Sequence, residues 1–337
     1  MEASFNMAEN IRAIQYGLGP IGCAVARHVV ERPGVSLVGG VDIDPAKVGK
    51  DVGGVIDLGR ALGIPVMRVL MDVLGQTEAD IVLHTTSSSF RLFKPQLVEI
   101  LEAGLDVVST AEELSFPWLA HPEEASEIDA LAKRVGKTVL GTGVNPGFIM
   151  DALPLSLTSI CRQVDHIDVT RIIDASTRRG PFQAKIGSGT TVEDFEARMA
   201  AGKMGHVGLP ESTGMIFDTM GKELVDVESN VEPIVAEDVV ETDHVRVEPG
   251  QVKGLRQVAL GYAEEGEFVR LTFVAALDAE DEGDTVKITG DPNLEIKLHG
   301  TNGDVATVAI VVNAIPQVLA SAPGLVTMRD VPIVTHW

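Results

Sequence analysis

Two adjacent acids, Glu112 and Glu113, are the residues of this chain best suited to acid–base chemistry. They follow the apolar run Leu105–Ser109, which is typical of a buried strand. A carboxylate at that position could hold a substrate ammonium or take a proton from a reacting nitrogen. The alternative is a pair of acids in the first turn of a helix, where the helix dipole favours them. Neighbouring residues point in different directions, so we expect at most one to be catalytic, and Glu113 is favoured over Glu112.

A glycine-rich turn upstream could bind a dinucleotide. It lies between an apolar strand and a helix and contains Gly17, Gly19, Pro20, Ile21 and Gly22. In such a turn the first glycine leaves the strand sharply, the second lets the backbone approach a pyrophosphate, and the third lets the helix pack closely on the sheet. The helix N-terminus then faces the phosphates.

Asp42 ends the second apolar run, 20 residues beyond Gly22. An acid at that distance could accept hydrogen bonds from the adenosine ribose diol. Because its carboxylate would repel a 2′-phosphate, the sequence favours NAD over NADP. Lys47 and Lys50 lie nearby, which keeps NADP possible.

Further polar groups follow other predicted strands. In an open parallel sheet, ligands bind beyond the carboxyl ends of the strands. The candidates at these ends for contacts to the cofactor ribose are Thr85, Thr86, Ser87 and Ser109, and a further loop is Thr142–Gly147. The alternative is that these hydroxyl groups only cap helices or hold loops.

The elements that must position these residues fall into two patterns. Strands and helices alternate up to about residue 145, which predicts an α/β domain with a parallel sheet. Short alternating strands then dominate, which predicts a mixed, largely antiparallel sheet in a second domain of about residues 146–303. An apolar helix, Ala306–Ala320, is expected to complete the first domain, so that domain would comprise residues 1–145 and about 304–337.

Local signals predict individual helices. A helix interrupted by glycines is expected from Ala46 to Leu62, and another over His121–Gly136. Thr190 and Glu193 have the spacing of a capping box that opens a helix at Val192.

Composition limits the classes of partner. The net charge of -22 argues against nucleic acid or an anionic membrane. The N-terminal segment has no secretory pattern, and no apolar stretch is expected to approach the length of about 18 residues that spans a bilayer. The 8 histidines are scattered without ligand spacing, so no metal site is expected. Cys23 and Cys161 read as reduced core residues, which favours the cytoplasm.

Seven motifs resemble one known family, the 2,4-diaminopentanoate dehydrogenases, which include native NAD(P)H-dependent amine dehydrogenases. The motifs are YGLGPIG (Tyr16–Gly22), STAEELSFPW (Ser109–Trp118), GTGVNPGFIMDALP (Gly141–Pro154), GSGTTVEDFE (Gly187–Glu196), GHVGLPES (Gly205–Ser212), VEPG (Val247–Gly250) and PGLVTMRDVP (Pro323–Pro332). Together they cover nearly the whole chain.

The resemblance implies a dihydrodipicolinate-reductase-like enzyme with a Rossmann domain, a substrate and dimerisation domain, and a homodimer. It implies oxidative deamination of an amine, or reductive amination of a ketone or aldehyde with ammonia, with Glu112 or Glu113 as the assisting glutamate. By the same resemblance, Asn145, Pro146 and Phe148 should border the nicotinamide and the pocket. The remaining expected residues are Asn313 near the nicotinamide and Ile149, Thr177, Phe182 and His206 in the substrate pocket.

Two related families depart from the pattern, and other functions stay open. Dihydrodipicolinate reductases carry adjacent histidines followed by lysine, and no adjacent histidines occur here. Homoserine dehydrogenases carry Asn-Lys where this chain has Glu112-Glu113. The alternatives are 2,4-diaminopentanoate dehydrogenase proper, a ketone or hydroxy-acid reductase, and a non-enzymatic nucleotide sensor. A diamino acid substrate would need a partner for its carboxylate, for which the sequence offers Arg171, Arg178 and Arg179.

Overall fold

The computed structural model describes residues 10–202 and 204–337. The expectation that the N-terminal segment is no secretory leader therefore concerns residues almost wholly outside the described part. The chain divides into two compact units. Unit 1 comprises the described chain up to Phe148 together with Asn302–Trp337, and unit 2 comprises Ile149–Thr301.

Strands and helices alternate in unit 1, whereas strands dominate unit 2. The strands are β1 (Ile11–Tyr16), β2 (Val35–Val41), β3 (Val66–Met67), β4 (Ile81–His84), β5 (Asp106–Ser109), β6 (Thr138–Gly141), β7 (Gln163–Asp174), β8 (Asp226–Val235), β9 (Val240–Glu241), β10 (Arg246–Val247), β11 (Val252–Ala263), β12 (Gly266–Ala276), β13 (Gly283–Asp291), β14 (Leu294–Leu298) and β15 (Gly324–Val326). The helices are α1 (Pro20–Glu31), α2 (Val52–Val55), α3 (Leu70–Leu74), α4 (Phe90–Glu102), α5 (Pro122–Val135), α6 (Ala152–Thr158), α7 (Gly180–Lys185), α8 (Val192–Ala200), α9 (Leu209–Thr219), α10 (Gly303–Asn313) and α11 (Ile315–Ala320).

Unit 1 is built on a seven-stranded sheet in the order β3-β2-β1-β4-β5-β6-β15. All of its strand pairs are parallel. The order reverses direction at β1, so the carboxyl ends of β1 and β4 flank the point where an open parallel sheet binds ligands. This architecture confirms the predicted Rossmann-like parallel domain.

Alternating side chains of β1 divide unit 1 into two layers. Ile14 and Tyr16 belong to the buried apolar cluster that includes Phe90 and Phe93 of α4 and Ile128 of α5. Ala13 and Gln15 are fully buried on the opposite side of the strand. On that side α1 packs against both the sheet and α10.

The long helix expected over Ala46–Leu62 is wrong: α2 is a single turn. Gly49 adopts φ +83°, a left-handed conformation that interrupts a right-handed helix. The Asp51 carboxylate then accepts hydrogen bonds from the N–H groups of Gly53 and Leu62 at 2.8 and 2.9 Å. These contacts fold the segment back as a loop.

The expectation that no apolar stretch approaches the length of a membrane span is wrong for Gly303–Ala320. Its 18 residues pass that test by length and composition, and 28% of them are buried. In the structure the stretch is divided into α10 and α11, with Pro316 in the first turn of α11. These helices pack on α1, β5 and β6 as part of unit 1.

Unit 2 contains a six-stranded sheet in the order β14-β13-β7-β12-β11-β8. Only β7 and β12 pair in parallel; the other neighbours are antiparallel. The sheet is therefore mixed and largely antiparallel, as predicted. Helix α9 lies close to β11, where a side chain at Gly261 would meet Thr213 and Phe217.

The capping residue of α8 is one position beyond the predicted one. Thr191, not Thr190, is the N-cap, and its hydroxyl accepts a hydrogen bond from the Asp194 N–H at 3.1 Å. The Thr190 hydroxyl instead donates to Gly187 O at 2.7 Å. Either of two consecutive threonines could cap the helix, and Thr191 does so because the Thr190 hydroxyl is already bonded within the preceding turn.

Candidate active site

The glycine turn at the end of β1 leaves room for a phosphate at only one of its glycines. A Cβ on Gly22 would lie 2.0 Å from Gly17 O, and a Cβ on Gly17 would lie 2.7 Å from Thr85 O. A Cβ on Gly19 would meet nothing within 4 Å. Gly19 is also the N-cap of α1, where no side chain caps the helix, and Pro20 follows it. The first N–H groups of α1, including that of Ile21, therefore suit a pyrophosphate.

Two side chains support this turn from inside the sheet. The Thr85 hydroxyl donates to Gly17 O at 2.9 Å. The Gln15 amide donates to the same oxygen at 2.9 Å and to Thr85 Oγ1 at 2.8 Å. Thr85, predicted at the cofactor ribose, is thus turned towards the glycine turn and holds its shape.

Asp42 is fixed beside the same turn. Its carboxylate accepts hydrogen bonds from the Leu18 and Asp44 N–H groups, both at 2.8 Å, and from Lys47 Nζ at 3.1 Å. Burial disfavours the charged carboxylate, but these donors outweigh it and hold the pKa of Asp42 below its usual value. Asp42 is therefore ionised at neutral pH. It ties the end of β2 to the glycine turn.

A buried histidine joins the loops that follow β4 and β5. His84 Nε2 lies 2.7 Å from Gln96 Oε1 and 2.9 Å from the Thr86 hydroxyl, and Nδ1 lies 2.8 Å from Ser109 Oγ. Because an amide oxygen only accepts, this network assigns the proton to Nε2, and Ser109 donates to Nδ1. Burial lowers the pKa of His84 to about 4, so the ring is neutral.

The predicted ribose contacts Ser109 and Ser87 have partners within unit 1. Ser109 is fully buried, and its hydroxyl also accepts from the Ala111 N–H at 3.1 Å. It therefore shapes the turn that leads to the two glutamates. Ser87 Oγ accepts from the Ser89 N–H at 3.2 Å, just before α4 begins.

The two acids occupy a short 3-10 helix, Glu112–Leu114, and have different surroundings. Glu113 Oε2 accepts from the Phe90 N–H at 2.5 Å and faces His121 Nε2 at 3.2 Å. Its Oε1 has no hydrogen-bond partner within residues 10–202 and 204–337. The Glu112 carboxylate likewise makes no hydrogen bond or ion pair in that part of the chain. Glu113 is thus held through one oxygen, whereas Glu112 is unrestrained.

Two amide side chains, one just after β6 and one at the end of α10, have buried atoms without partners in the described part of the chain. Neither Oδ1 nor Nδ2 of Asn145 has a hydrogen-bond partner among the described residues, and the same holds for Asn313 Oδ1. Pro146 follows Asn145 through a cis peptide bond and is buried, while Phe148 is 38% exposed. Unpaired buried amide atoms are costly unless a ligand or water satisfies them. A nicotinamide carboxamide has matching donors and acceptors.

Two further buried polar atoms have the same property: one lies in the predicted candidate loop Thr142–Gly147, and the other, on Gln317, was not predicted as a site atom. Thr142 Oγ1 and Gln317 Oε1 also lack partners within the described part of unit 1. Thr142 follows β6, and Gln317 comes four residues after Asn313, on α11. The spacing from Asn313 is the only sequence signal that could have drawn attention to Gln317.

The predicted pocket residues of unit 2 are spread over several elements. Ile149 is buried and Thr177 is exposed. The Arg178 guanidinium lies 4.8 Å above the Phe182 ring. The His206 ring stacks on Phe273 with centroids 4.6 Å apart.

Arg171 is committed to a structural ion pair. Its side chain is 2% exposed, and its Nη1 lies 3.0 Å from both carboxylate oxygens of Asp284. It is therefore unsuited to bind a substrate carboxylate. Arg178 and Arg179 remain as candidates. Within the described residues, no group of three or more His, Cys, Asp or Glu side chains is placed to hold a metal.

Comparison with known proteins identifies the family. The model of the 2,4-diaminopentanoate dehydrogenase C-terminal domain matches residues 148–337. The 2,4-diaminopentanoate dehydrogenase of Acetoanaerobium sticklandii is 34% identical over 96% of this chain and 94% of its own length. The chain belongs to the 2,4-diaminopentanoate dehydrogenase family. The resemblance inferred from the seven motifs is thereby confirmed.

Amine dehydrogenases are more distant relatives of this family member. The amine dehydrogenase of Streptomyces virginiae is 24% identical over 96% of both chains. The solved structure of the amine dehydrogenase from Mycobacterium smegmatis superposes with a TM-score of 0.86, at 26% identity over 98% of both chains. The fold of unit 1 and unit 2 is therefore that of an amine dehydrogenase.

Proposed function

We propose that this protein is a nicotinamide-dependent amine dehydrogenase. It oxidises a primary amine to an iminium that water hydrolyses to ketone or aldehyde and ammonia, and it runs in reverse as a reductive amination. The observation that carries the proposal is an oriented glutamate, Glu113, in a Rossmann domain whose chain is 34% identical to a 2,4-diaminopentanoate dehydrogenase. The bound cofactor supplies the hydride acceptor or donor.

The residues present fit such a cofactor. The open space at Gly19 and the uncapped start of α1 suit the pyrophosphate. The buried atoms without partners among the described residues, both amide atoms of Asn145 and Oδ1 of Asn313, suit the nicotinamide carboxamide. The loop containing Thr86 and Ser87 leaves β4 beside this region and would border the ribose.

NAD is proposed as the preferred cofactor. The ionised Asp42 beside the glycine turn would accept hydrogen bonds from a ribose diol and repel a 2′-phosphate. Lys47, which lies 3.1 Å from Asp42 and 3.5 Å from Asp44, is the cation that could soften this repulsion. We therefore expect measurable but weaker use of NADP.

Glu113 is proposed as the general base. One of its oxygens is held by the Phe90 N–H and His121, which leaves Oε1 to exchange a proton with the reacting nitrogen. Its negative charge would also stabilise the cationic iminium. Catalysis needs a group held in one orientation, and the Glu112 carboxylate lacks such restraints. Glu112 is accordingly the matched control.

Two substrate classes are proposed for this site, a diamino acid and a simple apolar amine. The relatedness to 2,4-diaminopentanoate dehydrogenase favours a diamino acid, whose carboxylate would need Arg178 or Arg179. Within unit 2, Ile149 and Phe182 would supply apolar surface for the carbon chain. A simple apolar amine becomes the better proposal if neither arginine affects turnover.

The test is a screen for NAD reduction, followed at the NADH absorbance, across 2,4-diaminopentanoate, simple amines and amino acids, with NADP in parallel. E113Q should lower kcat about 100-fold or more, while E112Q keeps it within about threefold. Full activity of E113Q would remove the glutamate mechanism. Ketone reduction that does not need ammonium would instead establish a ketone or hydroxy-acid reductase.

We further propose a cytoplasmic homodimer. Along β11 one set of alternate residues is buried, while Arg256, Val258, Leu260 and Tyr262 on the other set remain partly or fully exposed. This mixed apolar and charged strip is a candidate for contact with a second copy of the sheet. Light scattering should give twice the chain mass, and V258E should lower it. Both cysteines are free, in keeping with a reducing compartment.

A further inference from the structure

A histidine that the sequence motifs do not assign to the site contacts the proposed base. His121 Nε2 lies 3.2 Å from Glu113 Oε2, and the two side chains are 20% and 24% exposed. Because a carboxylate only accepts, His121 Nε2 carries the proton and donates it. We propose that His121 is a positioning residue that fixes the Glu113 carboxylate for proton exchange. This inference rests on the proposed function of Glu113.

The backbone holds His121 in place. His121 is the N-cap of α5, and its carbonyl accepts the Ala125 N–H at 2.8 Å. Its own N–H donates to Pro117 O at 2.8 Å. The ring also packs on Phe90, with centroids 5.0 Å apart and an interplanar angle of 31°. The donor therefore comes from a residue fixed on three sides.

Phe90 completes the arrangement. Its side chain is 1% exposed, and its N–H donates to the same oxygen, Glu113 Oε2, at 2.5 Å. Two donors from α4 and α5 thus converge on one carboxylate oxygen. Rotation of the carboxylate would break both hydrogen bonds, so the second oxygen, Oε1, keeps one direction. Loss of the His121 donor leaves only the backbone contact.

Two substitutions separate the donor from the ring. H121F keeps an aromatic ring beside Phe90 but has no donor, whereas H121Q restores a side-chain N–H at a similar reach. H121F should lower kcat for amine oxidation about 10- to 100-fold, the loss expected from a misplaced catalytic group, with KM for NAD within about twofold. H121Q should recover most of that loss. Equal kcat values for H121F and the wild type would overturn the proposal.

A control tests the packing of the two helices. Lys94 of α4 lies 2.5 Å from Glu127 of α5, so K94M removes a link between the same helices without touching Glu113. It should keep the wild-type kcat. A loss in K94M as large as that in H121F would assign the effect to helix packing and refute positioning. Should H121F fail to fold, H121L lacks the same donor and carries the same test.

The E113Q background separates this inference from the proposed function. If E113Q retains wild-type kcat, Glu113 is not the general base, and both its proposed role and the inference on His121 are refuted. If E113Q is impaired, H121F in that background should lower kcat little further, because both substitutions disable the same general base. Fully multiplicative losses in the double variant would refute the coupling while leaving the role of Glu113 intact.

Discussion

The buried ring of His84 should make unit 1 lose stability in mild acid. Its pKa is lowered from 6.5 to about 4, chiefly because burial penalises the charged ring. Above pH 6.5 the ring is neutral in both the folded and unfolded chains, and the stability it contributes is fully present. As the pH falls below that value the unfolded chain takes up a proton that the folded chain refuses. Stability is therefore lost until the pH reaches about 4.

The size of this loss follows from the two pKa values. The full difference corresponds to about 3 kcal/mol in the free energy of unfolding, at a pH below both values. Between about pH 7.5 and about pH 5 the expected loss is about 2 kcal/mol. The variant H84Q removes the titrating ring and retains an amide donor for Gln96. It should be less stable than the wild type near neutral pH, by about 1–3 kcal/mol, because the Ser109 hydroxyl loses its acceptor.

Urea unfolding followed by tryptophan fluorescence measures this effect. The chain has 2 tryptophans, Trp118 and Trp337, and both belong to unit 1, as does His84. Trp118 packs against the main apolar cluster of that unit. The fluorescence change therefore reports unfolding of the unit in which the histidine lies.

The test compares how much the free energy of unfolding changes with pH in the wild type and in H84Q, and does not depend on their absolute stabilities. The wild type should lose about 2 kcal/mol more than H84Q between about pH 7.5 and about pH 5. Equal losses in the two proteins would refute the assignment of a neutral, buried His84. A larger loss in H84Q would have the wrong sign and would also refute it.

Three further sets of substitutions test other parts of the structure. G19A should leave the melting temperature unchanged and raise KM for NAD about tenfold or more, since its Cβ meets open space in the protein. G22A should instead lower thermal stability by about 3 kcal/mol or more, because its Cβ would lie 2.0 Å from a carbonyl oxygen. D42S should lower the NAD to NADP ratio of kcat/KM about tenfold, and an unchanged ratio would contradict the proposed role of Asp42. R171M should cost about 3–5 kcal/mol in urea unfolding by leaving Asp284 buried and unpaired, and R171M/D284L should regain part of that loss.

Most of the fold could be predicted from local patterns. The apolar run Leu105–Ser109 predicts the buried strand β5, and the helix predicted over His121–Gly136 is α5, which ends before Gly136 at φ +71°. Predictions of local structure were wrong where groups distant in the sequence decide the conformation. The segment after Asp42 is a loop because Asp51 binds N–H groups as far along the chain as Ile64 at 3.1 Å.

The candidate site was predicted less completely. Motifs drew attention to Glu112 and Glu113 but gave no physical means to separate them. The structure distinguishes their surroundings through Phe90, which precedes Glu113 by 23 positions, and through His121. The sequence pattern predicts His121 only as the first residue of a helix.

The sequence by itself determined the glycine turn, the parallel sheet of unit 1 and the family, because each is signalled by short motifs or local patterns along the chain. Tertiary structure alone decided how polar groups pair. Arg171 meets Asp284 across 113 positions, and His84 meets Ser109 across 25. The physical reason is that a buried polar group takes its partner from whichever element packs beside it. The spacing of residues along the chain therefore does not predict these pairs.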